Sequence, residues 1–448
     1  MSADMNKLRA QSFDGAGNMS GAKSGVSARI KSLYPLALYF HCASHRLNLA
    51  VASLTNVRGV RNMMDSIRKC SKYFISHPKR TELLKQQVAA LMPSERRDTL
   101  IDDCQTRWLR RIDGLERVHE MMKPILVTLD LIADNHDGSY NKEARSVAQG
   151  LYWTLKSFQF ILHLIVVRYV MSYTLSLTEE LQKKKLDIVK VYKAFDIVLG
   201  TLGKCRKAVD SKHKEWYNEA VEFAVQFGVQ PSMKRIAGQS SFWENYESDG
   251  IKEYYKLSLT IPLIERVKSE LETRFSEEHR IHHDGFYVLP TTILSSKNSS
   301  VWKSKVRAFA DKYWKDLPEP INLEMEMEQW EYYWEQNKKE KSALPDTIVA
   351  TLQSIDSVKK WFPNIYRILC LIAVVPATSN SRERSISRLR LLKTYLLSRM
   401  LQDRLTSLAL VYIHREIELN PEDVNDEFAK NYPHRMKLLD ILGDNKND

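Results

Sequence analysis

The run Leu36-Ala37-Leu38-Tyr39-Phe40-His41-Cys42 is apolar and aromatic almost throughout and has the length of a buried strand. Pro35 stops what precedes it, and an amphipathic stretch follows from Ser44. Working outward to the N-terminus, Gly25 to Leu33 predicts a helix and Asn18 to Gly21 a turn. Arg9 to Phe13 predicts a short extended run closed by Asp14-Gly15. Strand, helix, strand, helix in that order predicts a parallel or mixed sheet.

From about Asn48 to Trp361 the pattern becomes helical. Leu115, Val118, Met122, Ile125, Leu126 and Leu129 recur at spacings of three and four, as do Leu151, Leu155, Phe158, Leu162 and Ile165. The composition agrees: 15 Gly and 14 Pro in 448 residues are about half of average usage, so long helices are expected. With 44% hydrophobic and 27% charged residues, the chain is globular in composition, which excludes disorder, collagen and low-complexity repeats. At roughly 100 to 200 residues per domain, two or three domains fit.

The first residues contain no apolar secretory segment. The most apolar window, Phe158 to Leu177, carries Gln159, His163 and Arg168 and is better read as a buried helix than as a membrane span. No membrane partner is therefore expected. Five widely spread cysteines, Cys42, Cys70, Cys104, Cys205 and Cys370, are not a disulfide framework and point to a reducing, intracellular setting for a soluble protein.

Charge is uneven. Lys and Arg total 67 against 55 Asp and Glu, a formal +12 that permits a polyanionic partner. Asp316 to Glu335 holds seven acids and no Lys or Arg, which reads as a solvated helix face with Trp330, Tyr333 and Trp334 turned inward. Pro376 to Arg404 holds seven cations against two anions, together with an apolar stripe of Ile386, Leu389, Leu392, Leu396 and Met400. A basic amphipathic helix of this kind faces nucleic acid, a partner or solvent. Leu405 to Ile417 is denser in apolar residues, so more than one of its faces needs cover. Between Phe275 and Ser300, Asp284-Gly285, Pro290 and a serine cluster predict a loop, in which His279, His282, His283 and Asp284 read as solvated residues. There is no phosphate-binding glycine loop, GxSxG or CxxC, and no small-molecule substrate is expected.

Three sets of residues carry a resemblance. The first joins Gln11 to Gly21 with His41-Cys42-Ala-Ser-His45-Arg-Leu-Asn48 and Thr106-Arg107-Trp108. The second is Trp361-Phe-Pro363-Asn364-Ile with Val375-Pro376 and Ser381-Arg-Glu383-Arg384-Ser-Ile-Ser387. The third is Leu389 to Tyr395 followed by Arg404-Leu-Thr-Ser-Leu-Ala-Leu. Together they resemble the hAT superfamily of DNA transposases, the last two its C-terminal dimerisation region. Pro231 to Gln239 is similar to the animal branch with MYM-type zinc-finger and THAP-type relatives. The blocks run in order from Gln11 to Glu416.

The resemblance implies a chain that is mainly α with a small α/β part, an RNase H-like core interrupted by a large helical insertion. The organisation it suggests is a partial α/β segment over 1–50, a helical insertion over 51–340, the dimerisation region completing the core over 341–420, and a tail over 421–448. In that fold two Asp and one Glu hold two Mg²⁺ ions for strand cleavage and transfer. By position Asp14 matches the second Asp and Glu383 the Glu. Only 13 residues precede Asp14, too few for the three strands, at roughly 5 to 6 residues each, that would carry the first Asp up to it. A truncated core without the first catalytic Asp and without an upstream zinc module is the expectation, with no cofactor for the chain alone and Mg²⁺ only if the site is completed.

The resemblance also implies DNA contacts from Arg107, Trp108, Arg384 and Arg388, and dimerisation through Leu389, Leu392, Leu396, Leu405 and Leu408. Trp108 reads either as a base-stacking residue or as a core Trp. Cys42 and His45 have CxxH spacing but are two candidates where zinc wants four; they are metal ligands or a packed thiol and a hydrogen-bonded imidazole. The function expected is a transposase-derived, nuclear, dimerising protein, partnered by itself or by an hAT relative and without catalysis. The alternatives are a Mg²⁺-dependent cut-and-paste transposase and a non-catalytic DNA-binding regulator.

Overall fold

The parallel pair forms where the sequence places it. In the computed structural model, β1 (Ala10–Phe13) and β2 (Leu38–His41) run parallel with Ala10 opposite Leu38 and Phe13 opposite His41. α1 (Val26–Leu33) connects them, and the Gln11 side-chain amide donates to the carbonyls of Ser27 and Ala37 at 3.1 and 3.0 Å, which fixes α1 over the strands. Where a plain turn was expected after Asp14, Gly17–Ser20 closes one helical turn instead, with Met19 and Ser20 N–H both donating to the Ala16 carbonyl. The structure describes residues 4–94, 98–100, 108–136, 138–183, 188–233, 250–276, 284–295, 299–340, 344–376, 378, 386, 400–414 and 417–431.

The rest of the described chain is helical, so the protein is mainly α with a small α/β part, as the sequence predicts. α2 (Ala43–Ala52) leads from β2 into α3 (Arg58–Ile75), α4 (Pro78–Leu91), α5 (Trp108–Glu120) and α6 (Met122–Asp134). α7 (Lys142–Leu155) and α8 (Phe158–Ser172) follow, then α9 (Leu175–Gln182), α10 (Ile188–Lys207), α11 (Val209–Val225) and α12 (Ile261–Ser276). The stripe from Leu151 to Ile165 does not run through one helix. Ser157 stops α7 and caps α8, its hydroxyl accepting from Phe160 N–H at 3.2 Å, and the two helices bend by 64°.

α8 is the axis of the first core. Apolar residues lie all round it, from Phe158 to Met171, and α3, α5, α11 and α12 pack against it. Each large apolar side chain buried there stabilises the fold by roughly 1.5–3 kcal/mol. No single helix among the described residues is long and apolar enough to cross a membrane.

A second core gathers apolar residues from α13 (Pro290–Ser295), α14 (Ser299–Lys312), α15 (Leu323–Glu340), α16 (Ile348–Ser354) and α17 (Pro363–Ala373). Helix α13 occupies part of the stretch expected to be loop: Pro290 sits at its first turn, where its fixed φ favours a helix start. Trp302, Trp330 and Trp334 are fully buried, and Trp330 donates to the Val288 carbonyl at 2.9 Å.

The acidic block is a solvated face in part: Glu319, Glu324, Glu328 and Glu335 are exposed and Trp330 and Trp334 turn inward, while three acids are engaged. Asp316 receives a two-pronged pair from Arg9 at 2.5 Å, tying the entry to β1 onto the second core, and Glu331 accepts from Ser299 and Trp302. Glu326 is buried and accepts from the N–H groups of Asn364 and Ile365 at 3.1 and 2.7 Å, capping α17. Burial raises its pKa above the usual carboxylate range, against the pull of those N–H groups.

From Asn380 the chain forms a separate unit. Its described helices are α18 (Gln402–Ile413) and α19 (Pro421–Asn431).

Candidate functional site

The C-terminal ends of two parallel strands gather the polar residues that the sequence singles out, where open α/β folds place their ligands. Phe13 is the last paired residue of β1 and its carbonyl accepts from Cys42 N–H at 2.9 Å, so Asp14 and Cys42 leave the sheet side by side. Asp14 is partly exposed; its carboxylate accepts from Ala16 N–H at 3.3 Å, and its carbonyl accepts from the Tyr39 hydroxyl at 3.3 Å. Cys42 is buried at the N-cap of α2, and His45 lies in the first turn of that helix.

His41, at the end of β2, completes the group. Its ring stacks on His45 with centroids 5.3 Å apart, and its Nε2 is buried with no hydrogen-bond partner among the described residues. Burial, aided by the nearby charges of Arg46, His45 and Arg274, lowers its pKa to about 4, so the imidazole is neutral at physiological pH. A Cβ on Gly15 would come within 2.7 Å of the His41 ring, so glycine is what lets the chain turn this close to it. Arg46 is itself buried and donates to the Arg274 carbonyl of α12, linking this edge to the helical core.

Thus Asp14, Cys42 and His45 share one edge, while Glu383, Arg384 and Arg388 lie outside the described residues, as do Arg107, Cys104, His279, His282 and His283. Trp108 opens α5, with its side chain outside the described residues. Asp284 is paired with Lys305 at 3.1 Å. His41 escaped the sequence reading, although it stands next to Cys42 and four residues before His45, the spacing at which residues meet on a helix or its cap. Glu326 escaped too, hidden in an acidic run; its signal was the Pro363-Asn364 helix start that needs a partner.

Among the described residues no group of three or more His, Cys, Asp or Glu side chains could hold a metal ion. The described donors at this edge are one carboxylate, one thiol and two imidazoles. Mg²⁺ demands near-octahedral oxygen ligation, so these donors alone do not fit a Mg²⁺ pair.

A second candidate is an interface. Leu405, Leu408 and Ala409 fall at helical spacing on α18, and Leu389, Leu392 and Leu396 lie outside the described residues. Leu410 and Val411 are 53% and 61% exposed, and Leu401 just before the helix 80%. Among the described residues α18 thus carries an exposed apolar surface, the kind that marks interaction sites.

Comparison with known proteins agrees with that surface. Residues 334–417 match the hAT family C-terminal dimerisation region. Over 440 residues, 97% of this chain, the sequence is 27% identical to the 52 kDa repressor of the inhibitor of the protein kinase of Homo sapiens, covering 56% of that protein. The Mus musculus protein of the same name is 26% identical over 444 residues, 98% of this chain and 57% of its own length. The chain thus spans a little over half the length of these curated relatives.

Proposed function

We propose that the chain is a transposase-derived protein that works by dimerising through its C-terminal region and has no catalytic activity of its own. The observation that carries this reading is the exposed apolar surface of α18 inside the matched region 334–417. In this reading the β1–α1–β2 unit descends from an RNase H-like core, and Asp14 and Glu383 keep the positions of its metal ligands. The donor set at the Asp14 edge supports the loss of catalysis: a neutral His41 and a stacked His45 stand beside a lone carboxylate. The partner is a second copy or an hAT relative, the setting is nuclear, and Arg107, Trp108, Arg384 and Arg388 are the positions for any DNA contact. The curated relatives are named for a repressor role, which an association-based mechanism would suit.

The test pairs the wild-type chain with Leu405→Asp/Leu408→Asp in sedimentation velocity, with a Mg²⁺-dependent DNA cleavage assay on the same samples. A wild-type dimer, a monomeric variant and no cleavage in either are expected. Cleavage abolished by Asp14→Ala and by Glu383→Ala would replace this reading with the transposase.

A further inference from the structure

Away from both candidate sites, α3 and α7 pack together, with the Tyr73 hydroxyl donating to the Ala144 carbonyl at 2.9 Å. Two hollows of about 500 and about 360 Å³ follow this contact and share Ser66 and Thr154 on their walls. The larger is lined by Lys69, Lys72 and Arg80, and among the described residues no carboxylate lines either hollow. Lys69 and Lys72 are exposed and form no ion pair among the described residues, while the one acid of α3, Asp65, is engaged by Arg68 at 3.1 Å. Arg80 is held in place over the Tyr73 ring, 4.1 Å from its centroid, and donates to the Tyr73 carbonyl. The smaller hollow has an apolar floor of Met63 and Phe160, the amides of Asn62 and Gln159 on its wall, and Trp153, 62% exposed, at its rim.

We propose that this cleft binds an acidic peptide segment of a partner protein, with carboxylates over Lys69, Lys72 and Arg80 and one large apolar side chain against Trp153. Charge complementarity fixes the sign of the occupant. Its width follows from the packing: helix axes roughly 8–10 Å apart leave a cleft for a single chain rather than a duplex. The amides of Asn62 and Gln159 suit the N–H and C=O groups of a peptide backbone. Each amide offers donors and an acceptor, which a peptide backbone can satisfy on both counts, whereas a phosphate backbone only accepts. An exposed indole beside an apolar floor is the usual anchor point of such an interface.

The probe is a fluorescein-labelled twelve-residue peptide of alternating Asp and Glu with one central Phe, titrated with the full chain and followed by anisotropy. Saturable binding that weakens as salt rises is expected. Lys69→Glu/Lys72→Glu weakens it by about tenfold or more, and Trp153→Ala by at least about threefold. Lys204→Glu/Lys207→Glu, a reversal of exposed cations on α10 with circular dichroism to confirm the fold, leaves it unchanged. Three results overturn the proposal: no change in Lys69→Glu/Lys72→Glu, an equal loss in the α10 variant, or a twelve-nucleotide single strand that binds more tightly than the peptide and loses affinity with the same two lysines.

Discussion

Helices α8 and α18 are both rich in large aliphatic residues, and they end in opposite environments. On α8 the side chains of Ile161, Leu162, Leu164, Ile165 and Val166 are fully buried, and neighbouring helices cover every face. On α18 no described side chain is buried, and Leu408, Leu410 and Val411 stand in the open. Apolar content alone therefore does not place a helix in a core. The same chemistry is enclosed on α8 and, among the described residues, open on α18.

The strongest way to break this contrast is to place a carboxylate on each helix. Ile165→Asp buries an unpaired charge and is expected to cost at least about 4 kcal/mol, abolishing the cooperative thermal transition. Leu408→Asp is expected to shift the unfolding of the isolated chain by less than about 1 kcal/mol while weakening self-association. Equal thermal losses in the two variants would erase the distinction.

The contrast also cuts through the matched region, because α17 lies inside residues 334–417 and is a core helix. Glu326→Ala removes the cap and leaves the N–H groups of Asn364 and Ile365 unpaired, for an expected loss of about 1–3 kcal/mol in denaturant unfolding. Glu326→Gln keeps one acceptor and should recover part of it. A neutral Glu326→Ala would place α17 with the open helix rather than the buried one.

A smaller effect probes how tightly α8 is enclosed. A Cβ at position 59 would lie 1.9 Å from the His163 ring, so Gly59→Ala forces that buried side chain to shift, at an expected cost of about 1–3 kcal/mol read from the chemical denaturation midpoint.

The mildest lever is pH. Burial lowers His163 to about 4, and His41 and His119 also to about 4. The unfolded chain, with ordinary histidines near 6.5, binds protons that the folded chain refuses between those values. Stability is thus full above pH 6.5 and falls as pH drops towards 4. Glu326, raised by burial, works in the opposite direction. The slope of melting temperature against pH over this window should flatten in His163→Gln, and an unchanged slope would remove His163 from the account.

How far the sequence carried the reading can be seen element by element. The two strands, the helix between them and the burial of most of the window from Phe158 to Leu177 were legible, since each rests on a local pattern of apolar residues and breakers, although that window holds the end of one helix at Ser172 and the start of another at Leu175. The break at Ser157 was not, because the apolar spacing runs straight across it; the serine cap was the signal against the stripe. Glu326 and the Arg9–Asp316 pair were beyond reach for a different reason: they join residues 38 and 307 positions apart, and no local pattern encodes such a meeting. At the strand edge, Asp14, Cys42 and His45 were legible through the resemblance, whereas the place of His41, stacked on His45, depended on the register of the parallel pair.

The central claim is the proposed association through the open apolar surface of α18, in its simplest form with a second copy of the chain. Light scattering behind size-exclusion chromatography, run on the wild-type chain over a dilution series through the low micromolar range, tests it most directly. The account predicts a mass of two chains that gives way to one chain only on dilution and that Leu405→Asp/Leu408→Asp reduces to one chain throughout. A single-chain mass for the wild type at every concentration would contradict it.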